Sequence, residues 1–244
     1  MGLISDLKIL YHLALRPVRG KDHAARMENF YSGQAEAYDD FRRRLLHGRE
    51  ELFQKIEVPE GGTWVDLGGG TGANMEFISE TVPKLGRAYV VDLASSLLKV
   101  ASERFEANGW DHVQAIEADA TKWVPEEGQV DVVTFSYSLT MIPDWFGAVE
   151  NALRILKPGG RIGIVDFYVA RKHAEEGLQK HSWFTRTFWP TWFASDNVFP
   201  SPDHVPFVRS HFETEYLNEA RSKVPYLPFI RTPYYQFIGT KKAD

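Results

Sequence analysis

From residue 63 onward the hydrophobic period of the chain switches back and forth in a regular way. Short apolar runs stand at 63–67 (TWVDL), 88–93 (AYVVDL), 113–120 (VQAIEADA), 130–139 (VDVVTFSYSL) and 161–169 (RIGIVDFYV). Being short and rich in Val and Ile, they predict buried strands. Between them, ANMEFISETVPK (73–84), ASSLLKVASERFEANG (94–109) and WFGAVENALRIL (145–156) repeat their apolar residues every three or four positions and predict helices. Strands alternating with helices form βαβ units, so the expected fold is α/β, with a mostly parallel sheet covered by helices on both faces. The KPGG at 157–160 predicts the end of the third helix, with the fifth strand starting directly after it.

Two stretches depart from this rhythm. Residues 1–55 predict a helical cap segment ahead of a main domain at 56–244. Residues 170–211 interrupt that domain as an aromatic-rich insertion, and strand-like runs near 212–221 and 231–241 follow.

Composition narrows the function classes. With 244 residues, 43% hydrophobic and 25% charged, the chain suits one domain with a substantial attachment. It has no cysteine, which excludes disulfides and thiolate chemistry. The net charge of −5 is uneven: residues 51–169 hold 9 Lys/Arg against 18 Asp/Glu, and the flanks 19 against 15. No dense basic stripe points to nucleic acid. The first twenty residues lack the layout of a secretory signal, and Asp6 stands where a myristoylation pattern wants Ser or Thr. No run approaches eighteen apolar residues, so the expectation is a cytoplasmic protein.

The first predicted strand runs straight into GGGTG, residues 68–72. Glycine costs conformational entropy on folding, and a ligand lying against bare main chain at a helix start is a reason to accept that cost. Gly68, Gly70 and Gly72 form the G-x-G-x-G of S-adenosylmethionine sites, while Gly68, Gly70 and Ala73 fit the G-x-G-x-x-A of dinucleotide sites. The glycines alone do not choose. Asp92 closes the second strand, where an acid accepts from both ribose hydroxyls. Asp119 closes the third, where methyltransferases place an adenine-binding acid. Singly, Asp66, Asp92 and Asp119 also read as ordinary strand-end turn residues; their register with the glycines favours the methyl donor.

On these motifs, residues 60–242 resemble the class I S-adenosylmethionine-dependent methyltransferases, with a Rossmann-like sheet closed by an antiparallel C-terminal strand. Within that class, FSYSLTMIPDW (135–145), GIVDFYV (163–169) and SWFTRTFWPTWF (182–193) resemble the methyltransferases of betaine-lipid synthesis, which trimethylate diacylglycerylhomoserine. The resemblance implies that Asp66, Gly68, Gly70 and Gly72 hold the methionine end of the cofactor. Asp92 binds the ribose, with Leu93 beside the adenine; Asp119 and the Ala120 amide meet the adenine ring. Ser136 lies beside the methionine portion, Tyr38 of the N-terminal segment folds over the cofactor, and S-adenosylhomocysteine leaves as product. It further implies an amino-lipid substrate at the inner face of a membrane and a partner aminocarboxypropyl transferase that makes it. The nucleic-acid amino-methyltransferases carry Asp/Asn-Pro-Pro-aromatic where this chain reads FSYS, which counts against base methylation.

An α-amine has a reference pKa near ~8 and is partly unprotonated at neutral pH, so the acceptor needs steering more than a strong base. Candidates at the strand ends are Tyr137, Asp166 and Tyr168. Asp166, a carboxylate within an apolar strand, either steers the amine or makes a structural hydrogen bond. Candidate substrate contacts are Tyr31, His181, Trp183 and Arg186, the guanidinium matching a homoserine carboxylate. The aromatic insertion is either a lid for acyl chains or a second small core under a long loop. Its histidines lack metal-ligand spacing, and methyl transfer requires no metal. The first twenty residues, with Leu3, Ile4, Leu7 and Leu10 against Lys8 and Arg16, either lie in a membrane interface or pack on the domain. Competing functions are methylation of a soluble apolar molecule and a non-catalytic cofactor-binding scaffold.

Overall fold

A computed structural model of the protein describes residues 45–195, 197–224 and 227–242. Helix α1 (Arg49–Lys55) leads into β1 (Thr63–Leu67), and β2 (Arg87–Asp92), α2 (Ser95–Ala107), β3 (Val113–Glu117) and β4 (Val130–Ser136) follow. Next come α3 (Trp145–Ile155), β5 (Leu156–Phe167), α4 (Trp183–Ala194), α5 (His204–His211), β6 (Glu213–Val224) and β7 (Leu227–Thr240). The seven strands form one sheet in the order β3-β2-β1-β4-β5-β7-β6. The five strands β1 to β5 pair in parallel, and β7 lies antiparallel between β5 and β6.

The Val- and Ile-rich runs become strands because both of their faces are covered. Alternate residues of β1 point into two different cores: Trp64 joins Phe53, Phe105, Val132 and Val165, whereas Val65 and Leu67 join Phe135, Ile164, Tyr235 and Phe237. All five residues of β1 are buried. Each large apolar side chain removed from water in this way stabilises the fold by ~1.5–3 kcal/mol. Trp64 stacks on Phe53 at 5.7 Å, which fixes α1 across the first of these faces.

Two elements differ from expectation. Residues 73–84 form two short 3-10 turns, Ala73–Ile78 and Val82–Lys84, in place of one α-helix. Pro83 has no amide to extend a helical ladder, and Gly72 enters the segment in a left-handed conformation, φ 68°. The KPGG lies inside β5: Leu156 already pairs with Val130, and pairing resumes at Arg161 with Val132. The intervening residues form a bulge in which Gly159 takes φ 77°. The insertion after β5 contains two helices, and the C-terminal runs make a long hairpin whose second strand completes the sheet.

His204 opens α5 fully buried, its ring edge-on to Trp145 at 4.5 Å, and neither ring nitrogen has a hydrogen-bond partner. Burial pulls its pKa from 6.5 to about 3. Between those values the unfolded chain binds a proton that the folded chain refuses, so stability is lost as pH falls through that window. His204→Phe keeps an aromatic ring there and removes the titration. Its stabilising effect in urea unfolding is expected to be ~2 kcal/mol larger near pH 5 than near pH 8; an equal effect at both would contradict the burial of a neutral ring.

Candidate cofactor and acceptor site

The glycine turn is built from the end of β1. The Gly68 and Gly69 amides both donate to the Val91 carbonyl, at 2.7 and 3.2 Å, folding the chain over the end of β2. Gly68, Gly70 and Gly72 all have positive φ, at 72°, 57° and 68°. A Cβ on Gly68 would stand 2.4 Å from the Ser138 Cβ, and one on Gly72 would stand 2.7 Å from the Phe105 ring. The fold itself thus demands glycine at these two positions, and a bare main-chain turn results.

Beneath the turn lies a buried polar network. The Asp66 carboxyl accepts from Thr134 Oγ1 and from Asn74 Nδ2, both at 2.8 Å. Arg49 Nη1 donates to Asn74 Oδ1 at 3.3 Å, Ser136 Oγ donates to the same oxygen at 3.4 Å, and Trp64 Nε1 donates to Thr134 Oγ1 at 3.1 Å. Asp66 and Ser136 are 0% and 1% exposed. Both are thus part of the buried network beside the turn. Arg49, Asn74 and Thr134 escaped the sequence reading. Their signal was faint: Thr134 is a lone hydroxyl within VVTF, while Arg49 and Asn74 stand among other polar residues, in HGREE and TGANME.

Asp92, at the end of β2, is half-buried. Its Oδ2 accepts from the Gly70 amide at 3.0 Å and its Oδ1 from the Ala94 amide at 2.9 Å. It ties the glycine turn to the neighbouring strand. Leu93 follows it, half-buried. Asp119 lies two residues past β3, its Oδ1 accepting from the Thr121 amide at 2.9 Å and hydroxyl at 2.7 Å. Burial works to raise the Asp119 pKa, but the Thr121 bonds and the Lys122 charge outweigh it and the net shift is downward. The Ala120 carbonyl accepts from Asn151 Nδ2 at 2.8 Å. Because Leu67 pairs with Val91 and Asp92 with Glu117, the glycines, Asp92 and Asp119 come together along one edge of three adjacent strands.

The acceptor candidates do not converge in this way. Tyr137 follows β4 with φ 54°, a conformation costly for a side-chain-bearing residue. Its ring packs on Phe167 at 4.6 Å and its hydroxyl donates to the His47 carbonyl at 2.7 Å. Tyr168, one residue beyond Phe167, points to the other side of the sheet, where its hydroxyl donates to Glu219 at 2.8 Å. Strand alternation sets the two tyrosines apart. Asp166 is wholly buried and accepts from the Thr140 hydroxyl at 2.7 Å, the Thr140 amide at 3.2 Å and the Phe167 amide at 2.8 Å. Burial pushes its pKa up to about 7 against these bonds. Of the two roles expected for Asp166, the structural hydrogen bond is the one its partners describe.

His181 Nδ1 accepts from the Ala170 amide at 2.9 Å. Burial, with the charges of Arg221 and Arg186, lowers its pKa to about 4, so it is a neutral staple for the start of the insertion. Ser182 caps α4 by accepting from the Thr185 amide. One face of α4 buries Trp189 and Phe193, with Phe193 stacked on Phe167 at 4.6 Å. The opposite face carries Phe184, Phe188 and Trp192 stacked in series at 5.1 and 5.6 Å, next to Trp183, which is 73% exposed. The insertion thus adds Trp189 and Phe193 to the core around Trp64, with Phe188 partly buried against it, and leaves Trp183, Phe184 and Trp192 exposed. Arg186 sits in the first turns of α4 with its Nε buried and unbonded. The Phe199 amide donates to the Thr140 carbonyl, tying the end of this segment to the loop after β4. Tyr31 and Tyr38 lie outside the described residues, as does most of the 1–55 segment.

The strand order, with one antiparallel strand slotted next to last, is the sheet of the class I S-adenosylmethionine-dependent methyltransferases, and the edge formed by the glycine turn, Asp92 and Asp119 fits that cofactor. Residues 26–191 match the ubiE/COQ5 methyltransferase family, to which this chain belongs. It is 27% identical over 169 residues to the ubiquinone/menaquinone biosynthesis C-methyltransferase UbiE of Pseudomonas fluorescens, covering 67% of this chain. The match spans 66% of that relative's length, short of two thirds. The UbiE of Klebsiella pneumoniae is 26% identical over 171 residues, covering 68% of each chain. Among solved structures, an N-methyltransferase of Haemonchus contortus bound to phosphomonomethylethanolamine and S-adenosylhomocysteine aligns with TM-score 0.66 and 15% identity, covering 91% of this chain and 60% of that one. A SAM-dependent methyltransferase of Aquifex aeolicus aligns with TM-score 0.59 and 16% identity, covering 85% and 97%.

Two substitutions test the geometry. Thr134→Val keeps shape but strips a donor from the buried Asp66 and an acceptor from Trp64; unfolding is expected to become easier by ~1–3 kcal/mol. Asp92→Ala releases the Gly70 amide and is expected to weaken S-adenosylmethionine binding at least ~10-fold by calorimetry. Unchanged affinity would remove Asp92 from the cofactor site.

Proposed function

We propose that the protein transfers methyl groups from S-adenosylmethionine to the amine of an amphiphilic lipid, converting diacylglycerylhomoserine in three rounds to diacylglyceryl-trimethylhomoserine. The observation that carries this reading is Arg186, a guanidinium with a buried, unbonded Nε at the foot of an exposed aromatic helix. A carboxylate beside acyl chains matches both features, and the three segments resembling betaine-lipid methyltransferases support it.

The cofactor supplies an electrophilic methyl group on a sulfonium. In this reading the main chain at Gly68, Gly70 and Gly72 receives its methionine end, Asp92 its ribose, and Leu93, Asp119 and Ala120 its adenine. Positioning does most of the work, since aligning donor and acceptor lowers the barrier by up to ~10 kcal/mol. The stacked rings of α4 offer apolar surface to acyl chains. No helix among the described residues is long and apolar enough to cross a membrane; in this reading the lipid is met at a membrane surface. An aminocarboxypropyl transferase is the partner reaction that supplies it.

The relatives' names favour a second reading, C-methylation of an aromatic quinone precursor. A neutral ring makes no use of an unpaired guanidinium. The purified protein is to be incubated with S-adenosylmethionine and either diacylglycerylhomoserine or a demethylated isoprenoid quinol, and the lipids weighed by mass spectrometry. A gain of three methyl groups on the homoserine lipid is expected; one methyl on the quinol, with none on the amine, overturns the proposal in favour of the second reading.

A further inference from the structure

The hairpin of β6 and β7 outruns the sheet it closes. β7 pairs with β5 from Thr240 back to Tyr234, which lies opposite Phe167, the last residue of β5. Its pairing with β6 continues past that point, through Thr232 with Ser222 and Arg231 with Lys223 to Leu227 with Val224. Because β7 runs antiparallel to β5, this two-stranded ribbon stands beyond the carboxyl ends of the parallel strands, the edge that carries the glycine turn, Asp92 and Asp119. The α4 segment occupies the same edge: Phe193 stacks on Phe167, and the Phe199 amide is bonded to Thr140, just past β4. Val224 and Ile230 of the ribbon pack against the apolar cluster that holds Trp189 and Phe193.

Both projections carry side chains that water accommodates poorly or that attract anions. Alternation and register put Arg221, Lys223 and Arg231 on one face of the ribbon. All three are exposed, and none enters an ion pair among the described residues. The sequence between Lys223 and Arg231 reads VPYLPFI, without a charge. On α4, Trp183, Phe184 and Trp192 are 73%, 57% and 43% exposed, and Phe199 beyond it is 56% exposed. An apolar patch of this kind marks an interaction surface. The stretches 177–195 and 220–234 together hold five Lys/Arg and no Asp/Glu, in a chain whose net charge is −5. The charge of these two segments is therefore opposite to that of the protein as a whole, and complementary to an acidic surface.

We propose that the β6–β7 ribbon and the exposed rings of α4 dock the protein on an anionic bilayer, with its cofactor edge turned toward the lipid. The inference rests on the amphiphilic acceptor given above and names the surface through which the protein meets it. Aromatic rings settle between head groups and acyl chains. Each Lys or Arg held near an anionic bilayer strengthens binding about fivefold. A head group then has to rise only as far as the edge formed by the glycine turn, Asp92 and Asp119.

The test is co-sedimentation of the full chain with vesicles of phosphatidylcholine alone and of phosphatidylcholine mixed with phosphatidylglycerol, neither containing a homoserine lipid. Wild type is expected to bind the mixed vesicles at least ~10-fold more tightly, a preference that shrinks as salt is added. The triple variant Arg221→Gln, Lys223→Gln, Arg231→Gln is expected to lose that preference, and Arg221→Lys with Arg231→Lys to keep it. Trp183→Ser with Phe184→Ser is expected to weaken binding to both vesicles at least ~10-fold. Every variant is expected to keep the wild-type melting temperature and S-adenosylmethionine affinity, since the altered side chains are exposed. Wild type that ignores the mixed vesicles overturns the docking surface. So do ribbon and α4 variants that bind as wild type does, which would move the contact elsewhere in the chain. A dimer that the Trp183→Ser, Phe184→Ser variant dissociates, with no vesicle binding, assigns the rings to a second copy and overturns it too. The acceptor reading fails separately: vesicle binding as described with no methyl gained by the homoserine lipid refutes that reading alone, and methylation in detergent micelles without vesicle binding refutes the docking alone.

Discussion

A carboxyl group with no access to water has to be satisfied by its surroundings, and the Asp66 side chain organises this protein by that requirement. Its bonds to Thr134 and Asn74 couple β1 to β4 and to the turn after the glycines, and Asn74 passes the connection on to Arg49 of α1 and to Ser136. Gly69 must be glycine for the same reason, since a Cβ there would lie 2.7 Å from Asp66 Oδ2. The cofactor edge therefore inherits its shape from a polar cluster that the cofactor need never touch.

Periodicity revealed the parallel strands because both faces of each are covered, so 63–67 (TWVDL) and 130–136 (VDVVTFS) are short, mostly apolar runs without strict alternation. It also located Asp92 and Asp119, whose places follow from strand ends. What stayed hidden was set by three-dimensional neighbours. Asp66 reads as one more strand-end acid, and only the arrival of Thr134 from a strand some seventy residues on turns it inward. Tyr137 and Tyr168 both stand at strand ends, yet the left-handed backbone at one and plain alternation at the other send them to opposite cores. The KPGG resembles a helix stop, and it does follow one, but the pairing of Leu156 with Val130 had to be seen before it became a bulge within β5.

The aromatic insertion illustrates how one helix serves two environments. Spacing of three and four residues sends Trp189 and Phe193 inward, half-buries Phe188 against them and leaves Phe184 and Trp192 outside. Pro190 sits within this helix, and Phe199 ties the segment's far end to Thr140, close to the end of β4.

The place of β7 in the sheet has a consequence for synthesis. It is made after β6, yet it lies one position in from the edge and, among the described residues, is the sole pairing partner of β6. Until residue 240 emerges, β5 presents an open ladder and β6 has nothing to pair with, a condition in which nascent chains associate with one another. Termination between β5 and β7 would thus leave the β5 ladder open and β6 unpaired, a half-sheet prone to association.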